Sequence, residues 1–149
     1  MIEWIHSGEY LERGIQVGIL DDLNCALPAG SMSESLVMVC LGVPFPDDAS
    51  SRQFVSMLIA TSPLAIVFYG HDAERAFDIL ISLLTEDGPR THIMTKYIKE
   101  QPVDEALGTF LKAIWPSEER FDDWKNYSVL VTGEFKASEI IGIIKAVID

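Results

Sequence analysis

From Ser35 onward the hydrophobic positions of the chain switch between two patterns. "SLVMVCLG", 35–42, is an unbroken apolar run that ends on a glycine. A run without polar alternation is how a strand buried on both faces reads. "RQFVSMLIATS" instead sets Phe54, Val55, Leu58 and Ile59 on one face at helical spacing, and Ser50 or Ser51 stands where a capping hydroxyl is expected. "LAIVFYG" repeats the strand pattern, and "DAERAFDILISLLTE" repeats the helical one through Ala73, Ala76, Phe77, Leu80, Leu83 and Leu84, stopping before the breaker pair Gly88-Pro89.

"THIMTKYI" is a third strand whose polar alternation places it near a sheet edge. "PVDEALGTFLKAIW" is a third helix with Pro102 in its first turn, where a missing N–H costs nothing, and Pro116 ends it. "SEERFDDWK" reads as a short further helical turn, "YSVLVTG" as a fourth strand and "ASEIIGIIKAVID" as a closing helix. Strands are thus expected at about 35–41, 64–69, 92–97 and 127–132, parallel, with helices between them.

Residues 1–33 are less regular. "IQVGIL", 15–20, is a candidate fifth strand at an edge; "DDLNCALPAGSMSE" reads as loop, with Pro28-Ala29-Gly30 as turn chemistry. Strand-helix alternation predicts the α/β class: one domain over 1–149, a layered sandwich with a mostly parallel sheet of four or five strands flanked by helices. No repeat, low-complexity tract or linker interrupts it.

Composition supports one self-sufficient core. At 149 residues and 48% hydrophobic, the chain can bury enough surface to fold without disulfides or a metal. Charge narrows the partners. Eleven Lys and Arg stand against 23 Asp and Glu, for a net charge of −12. A chain this acidic repels phosphate backbones, so neither nucleic acid nor an anionic membrane is an expected partner, whereas a basic protein is. Solubility alone also accounts for such a balance.

Cys25 and Cys40 do not make a disulfide framework, and free thiols fit a reducing, cytoplasmic setting. "MIEWIHSGEY" has no basic-then-apolar leader. The uncharged stretch Gln53–Gly70 is broken by Ser62-Pro63 and reads as helix, break and strand, with no membrane crossing.

No phosphate-binding glycine loop, nucleophile elbow, H-E-x-x-H or C-x-x-C occurs, and no cofactor signature is present. The fold class itself points to the carboxyl ends of the strands, where open parallel sheets bind ligands. Asp47, Asp48, His71, Asp72, Thr132 and Glu134 would gather there. His71 and Asp72 could do acid/base work, and Asp47 and Asp48 could hold a cation. The simpler reading makes Asp72 a helix cap and the other carboxylates solvated loop residues. A second cluster is Trp115, Phe121, Trp124 and Tyr127 among Glu118, Glu119, Asp122 and Asp123. Packed down, these aromatics are core. Exposed, they form a patch suited to a basic protein, with aromatic anchors and steering carboxylates.

Met94-Thr95, Glu100, Glu105-Ala106-Leu107, Phe110-Leu111 and Pro116 together resemble a family of small uncharacterised bacterial α/β proteins. The resemblance covers about a quarter of the chain and implies no activity, cofactor or catalytic residue. The expectation is therefore a small acidic cytoplasmic module that binds a protein partner, an inhibitor or immunity-type role being one form. The alternative is a small-molecule or metal-binding enzyme at the carboxyl edge, and a third reading is a homo-oligomer formed through an exposed edge or helix face.

Overall fold

In a computed structural model, which describes residues 2–24, 26–45, 47–87 and 92–149 without the side chains of Ser7 and Asp87, the four expected strands are present. They are β3 (Ser35–Leu41), β4 (Ala65–Gly70), β5 (Met94–Ile98) and β6 (Asn126–Val131). Two more precede them, β1 (Glu3–Tyr10) and β2 (Arg13–Ile19). Between and after these strands run α1 (Asp48–Ala60), α2 (Ala73–Asp87), α3 (Val103–Ala113), a 3-10 helix (Glu118–Asp123) and α4 (Ala137–Ile148).

The described residues form one six-stranded sheet in the order β1-β2-β6-β3-β4-β5. β2, β6, β3, β4 and β5 run parallel, and β1 pairs antiparallel with β2. The expectation of four or five strands is corrected to at least six, six being present among the described residues. The candidate strand at 15–20 is present as β2, but it lies inside the sheet between β1 and β6, and the edge is β1; β1 and β2 form a hairpin whose turn hides it. Leu11 and Glu12 both have positive φ, 52° and 65°. The tight hairpin turn that this produces ordinarily carries Asn-Gly or Asp-Gly, so no turn signal marks it. Gly8, at φ 122°, sits where the β1–β2 pairing slips by one residue and breaks the two-residue period.

The two faces of the continuous apolar runs go to two half-cores. Leu36, Met38 and Cys40 of β3 meet α3 and α4 through Ala106, Leu107, Phe110, Ile140 and Ile144. Val37, Val39 and Leu41 meet α1 and α2 through Phe54, Val55, Leu58, Ala76 and Leu80. All seven residues of β3 are buried. At about 1.5–3 kcal/mol for each large side chain removed from water, the two layers lock the sheet between helix pairs. The loop after β2, read as irregular, closes the second layer with Leu23, Leu27 and Met32. Buried serines find partners inside the sheet: Gln16 Nε2 donates to Ser128 Oγ at 2.9 Å, and Ser128 and Ser35 hydroxyls are 2.6 Å apart.

Helix starts differ in detail from expectation. The cap of α1 is Asp47, whose carboxylate accepts the Ser50 N–H at 2.7 Å, so neither Ser50 nor Ser51 caps it. Pro102 stands at the N-cap of α3, one residue before its first turn. The breaker pair Gly88-Pro89, and Cys25, lie outside the described residues. Cys40 is a free, fully buried thiol that burial pushes up to about 12. No helix among the described residues is long and apolar enough to cross a membrane.

Candidate functional site

Strand order reverses between β3 and β6: the chain moves outward from β3 to β4 and β5, then returns with β6 to the other side of β3. In open α/β sheets the crevice at such a reversal is the usual ligand site. Here backbone narrows it, leaving beside the β2 end a depression of about 280 Å³ lined by Asp22, Leu23, Val43, Pro44, Thr132 and Gly133. Gly42 and Gly133 face each other so closely that a Cβ on Gly133 would stand 2.6 Å from the Gly42 carbonyl carbon. The Thr132 hydroxyl accepts the Gly42 N–H at 3.1 Å and donates to the Cys40 carbonyl at 3.3 Å. The two loops that would part around a ligand are latched together.

The polar residues expected at this edge mostly secure loops. Asp72 stands just before α2, and its backbone carbonyl accepts the Ala76 N–H at 2.8 Å, as an N-cap residue's does. Its carboxylate does not cap that helix; it crosses to the β3–α1 loop and accepts the Phe45 N–H at 2.9 Å. The φ of 53° at Asp72, outside the extended range usual for an N-cap, turns the side chain that way. Asp48 pairs with Arg75, whose guanidinium also lies 4.0 Å from Asp72. Asp47 caps α1, and the Ser50 backbone N–H, followed by the Ser50 hydroxyl, holds its carboxyl below the usual range. His71 Nε2 is 3.2 Å from Glu134 Oε1 at an exposed position.

The structure therefore brings Asp48, Asp72 and Arg75 together, and separately His71 and Glu134. It divides Asp47 from Asp48 by task, one to a helix cap and one to an ion pair. Among the described residues no group of three or more His, Cys, Asp or Glu is placed to hold a metal ion. A depression of about 400 Å³ lies beside α2, lined by Asp72, Glu74, Arg75, Asp78 and Lys99. Its charges are already matched in part, Lys99 Nζ to Glu74 at 3.0 Å and Arg75 to Asp48 and Asp72.

The second candidate cluster lies at the opposite, amino ends of the strands. Helix α3 ends at Ala113, buried Ile114 and Trp115 follow, and the 3-10 helix leads back into β6. Arg120 clamps this segment down: its guanidinium donates to the carbonyls of Pro63 at 3.1 Å, Ser62 at 3.0 Å and Ser33 at 3.3 Å. The aromatics split. Trp124, 3% exposed, and Tyr127 are core, packed edge to face at 5.4 Å. Trp124 is thus not an exposed anchor. Burial pushes the Tyr127 hydroxyl up to about 12. Trp115 stays 50% exposed and Phe121 40% exposed, their rings near parallel at 12° with centroids 6.3 Å apart.

Glu118, Glu119, Asp122 and Asp123, on the same 3-10 helix as Phe121, are exposed. Glu119 reaches the amino end of β5, where its carboxylate is 2.7 Å from His92 Nδ1. Between β5 and the end of α3 lies a groove of about 250 Å³, lined by Val67, Met94, Lys96, Ile114 and Trp115. Met94 is 47% exposed. Sequence reasoning missed Met94, Arg13 and Arg120. Met94 carried a weak signal, as an apolar residue on the outward side of an alternating edge strand; the two arginines carried none, because their partners are remote in sequence.

The chain matches no family model and no curated protein.

Proposed function

We propose that this chain is a protein-interaction module, without catalysis of its own, that presents the amino-end patch to a basic partner. One observation carries the reading: Trp115 is half exposed and stacked on half-exposed Phe121, which sits on a 3-10 helix that also carries four exposed carboxylates. Holding two large aromatics in water is costly unless a partner covers them, and rigid aromatics lose little entropy on binding. The carboxylates, backed by a net charge of −12, would steer a cationic surface to them. At the other end of the sheet, the polar groups that an enzyme would need are tied into caps and ion pairs. A cytoplasmic inhibitor or immunity-type protein is the form of this role that fits the free buried thiol and the acidity.

The test is site-specific photo-crosslinking in the cells that make the protein. Trp115 is replaced by p-benzoylphenylalanine and the cells are irradiated. A discrete adduct is expected, and it should weaken when Glu118, Glu119, Asp122 and Asp123 are replaced by their amides. No adduct, or one formed equally well from Asp21 at the far end of the sheet, would overturn the proposal.

A further inference from the structure

The two edges of the sheet are not alike. At β1 the pairing slips at Gly8, and α4 packs against the strand; a bulge and a covering helix are standard protection for an edge. At β5 no slip in pairing occurs: Ala65 to Tyr69 of β4 match Met94 to Ile98 one for one. Among the described residues no strand or helix pairs with the outer side of β5. The Met94 N–H donates inward to the Leu64 carbonyl at 3.2 Å. Backbone direction alternates along a strand, so Thr95 and Tyr97 turn their N–H and C=O groups outward.

This open ladder runs along the groove beneath Trp115. Met94 and Lys96 form one wall of that groove, and Ile114 and Trp115 the other. The Glu119 carboxylate of the 3-10 helix stands at the amino end of the same strand, in contact with His92. A hydrogen-bonding edge and a slot for alternate side chains are the parts of recognition by strand addition, and Glu119 adds a charged end.

Resting on the interaction role proposed above, we infer that β5 receives an extended, basic segment of the partner protein as an added strand. Backbone groups of that segment pair with Thr95 and Tyr97. An apolar side chain enters the groove against Met94 and Trp115. A Lys or Arg toward one end meets Glu118 and Glu119. A second copy of this chain is the poorer occupant, because edge-to-edge pairing would bring together two molecules that each carry a net charge of −12.

The experiment uses the full chain and phage-displayed random peptides of about nine residues, roughly the length of a strand and its flanks. Selected peptides are synthesised and their affinity is read by fluorescence anisotropy. They are expected to alternate apolar residues and to carry Lys or Arg at one end. Thr95→Pro removes an outward donor and leaves the ladder to β4 intact; it should weaken binding about tenfold or more, the effect of one or two lost hydrogen bonds. In case that variant folds poorly, N-methylation of alternate peptide amides tests the same bonds on unaltered protein. Methylation in one phase should abolish binding, and in the other leave it within about twofold.

Binding that ignores both changes yet falls with Trp115→Ala would overturn strand addition and leave the interaction role standing. Failure to select any peptide would also overturn strand addition, while crosslinking from Trp115 judges the interaction role by itself. A dimer in sedimentation that Thr95→Pro converts to monomer would assign the edge to a second copy and refute the proposal.

Discussion

The guanidinium carbon of Arg13 lies 3.7 Å from the centre of the Trp124 ring, and the Arg13 Nε donates to the Trp124 carbonyl at 3.1 Å. One side chain from the start of β2 thus covers an indole face and satisfies a backbone acceptor 111 residues away, at the entry to the neighbouring strand β6. This contact seals the core under the exposed pair Trp115 and Phe121, since Trp124 packs edge to face against both at 5.7 Å.

Arg13→Ala should destabilise the fold by about 1–2 kcal/mol, from a lost cation–π contact and a lost hydrogen bond. Arg13→Lys should recover little of it, because an ammonium cannot lie flat on the ring while donating sideways to the carbonyl. Trp124→Ala should cost about 3–5 kcal/mol, as for any large buried aromatic. Denaturant titration reads all three. An Arg13→Ala variant as stable as the parent would show the stack to be incidental.

Asp72 offers a sharper test, because its backbone and its carboxylate make separate demands. Its φ of 53° favours Asn or Gly, and its carboxylate holds the Phe45 N–H. Asp72→Asn should be nearly neutral. Asp72→Gly should lose the loop contact but relieve the backbone. Asp72→Ala should lose the contact with no relief, and cost about 1–2 kcal/mol. If Ala proves the mildest of the three in thermal melts, the loop contact does not contribute.

The turn at Leu11-Glu12 strains two side-chain-bearing residues in the left-handed region. Replacing them with Asn-Gly, the pair that this turn prefers, should raise stability by about 1 kcal/mol or more. Thermal denaturation measures it, and a lower melting temperature would mean that Leu11 makes a contact worth more than the strain.

The Asp47 cap predicts a pH dependence with a definite sign. Its carboxyl is held below its ordinary value of 3.8, chiefly by the Ser50 N–H. The charged cap therefore contributes in full above the unfolded-state value, about 3.9, and that contribution is lost as pH falls through the lower folded value. The stability gap between the parent and Asp47→Ala should stay constant from neutral pH to about pH 5, then narrow as acid protonates the cap. The gap between Asp47→Asn, which keeps an acceptor and has no charge, and Asp47→Ala should show no such narrowing.

Most of the architecture was legible because it rests on period. The runs at 35–41 and 64–69 are apolar on both faces, and only the middle strands of a two-sided sheet require that. The stripes of α1, α2 and α3 were readable for the same reason, and the alternation in 94–98 correctly placed β5 at an edge. Of the hairpin 3–19 only its second strand was legible, as the run at 15–20; the first was not, because a bulge breaks its period and the turn lacks the residues that mark one.

The fates of individual polar and aromatic residues were decided by tertiary structure alone. Sequence placed Asp72 next to a helix, but whether its carboxylate capped that helix or crossed to Phe45 depended on where the β3–α1 loop came to rest. Sequence placed four aromatics within thirteen residues of one another, from Trp115 to Tyr127. Which of them were buried depended on Arg13 and on the β2–β6 pairing, both remote in the chain. Periodicity is a local property that burial imposes on every element, so one chain can report it. A hydrogen-bond partner or a covering side chain is chosen by which loops the folded sheet brings within about 3 Å, and that information is carried by no single segment.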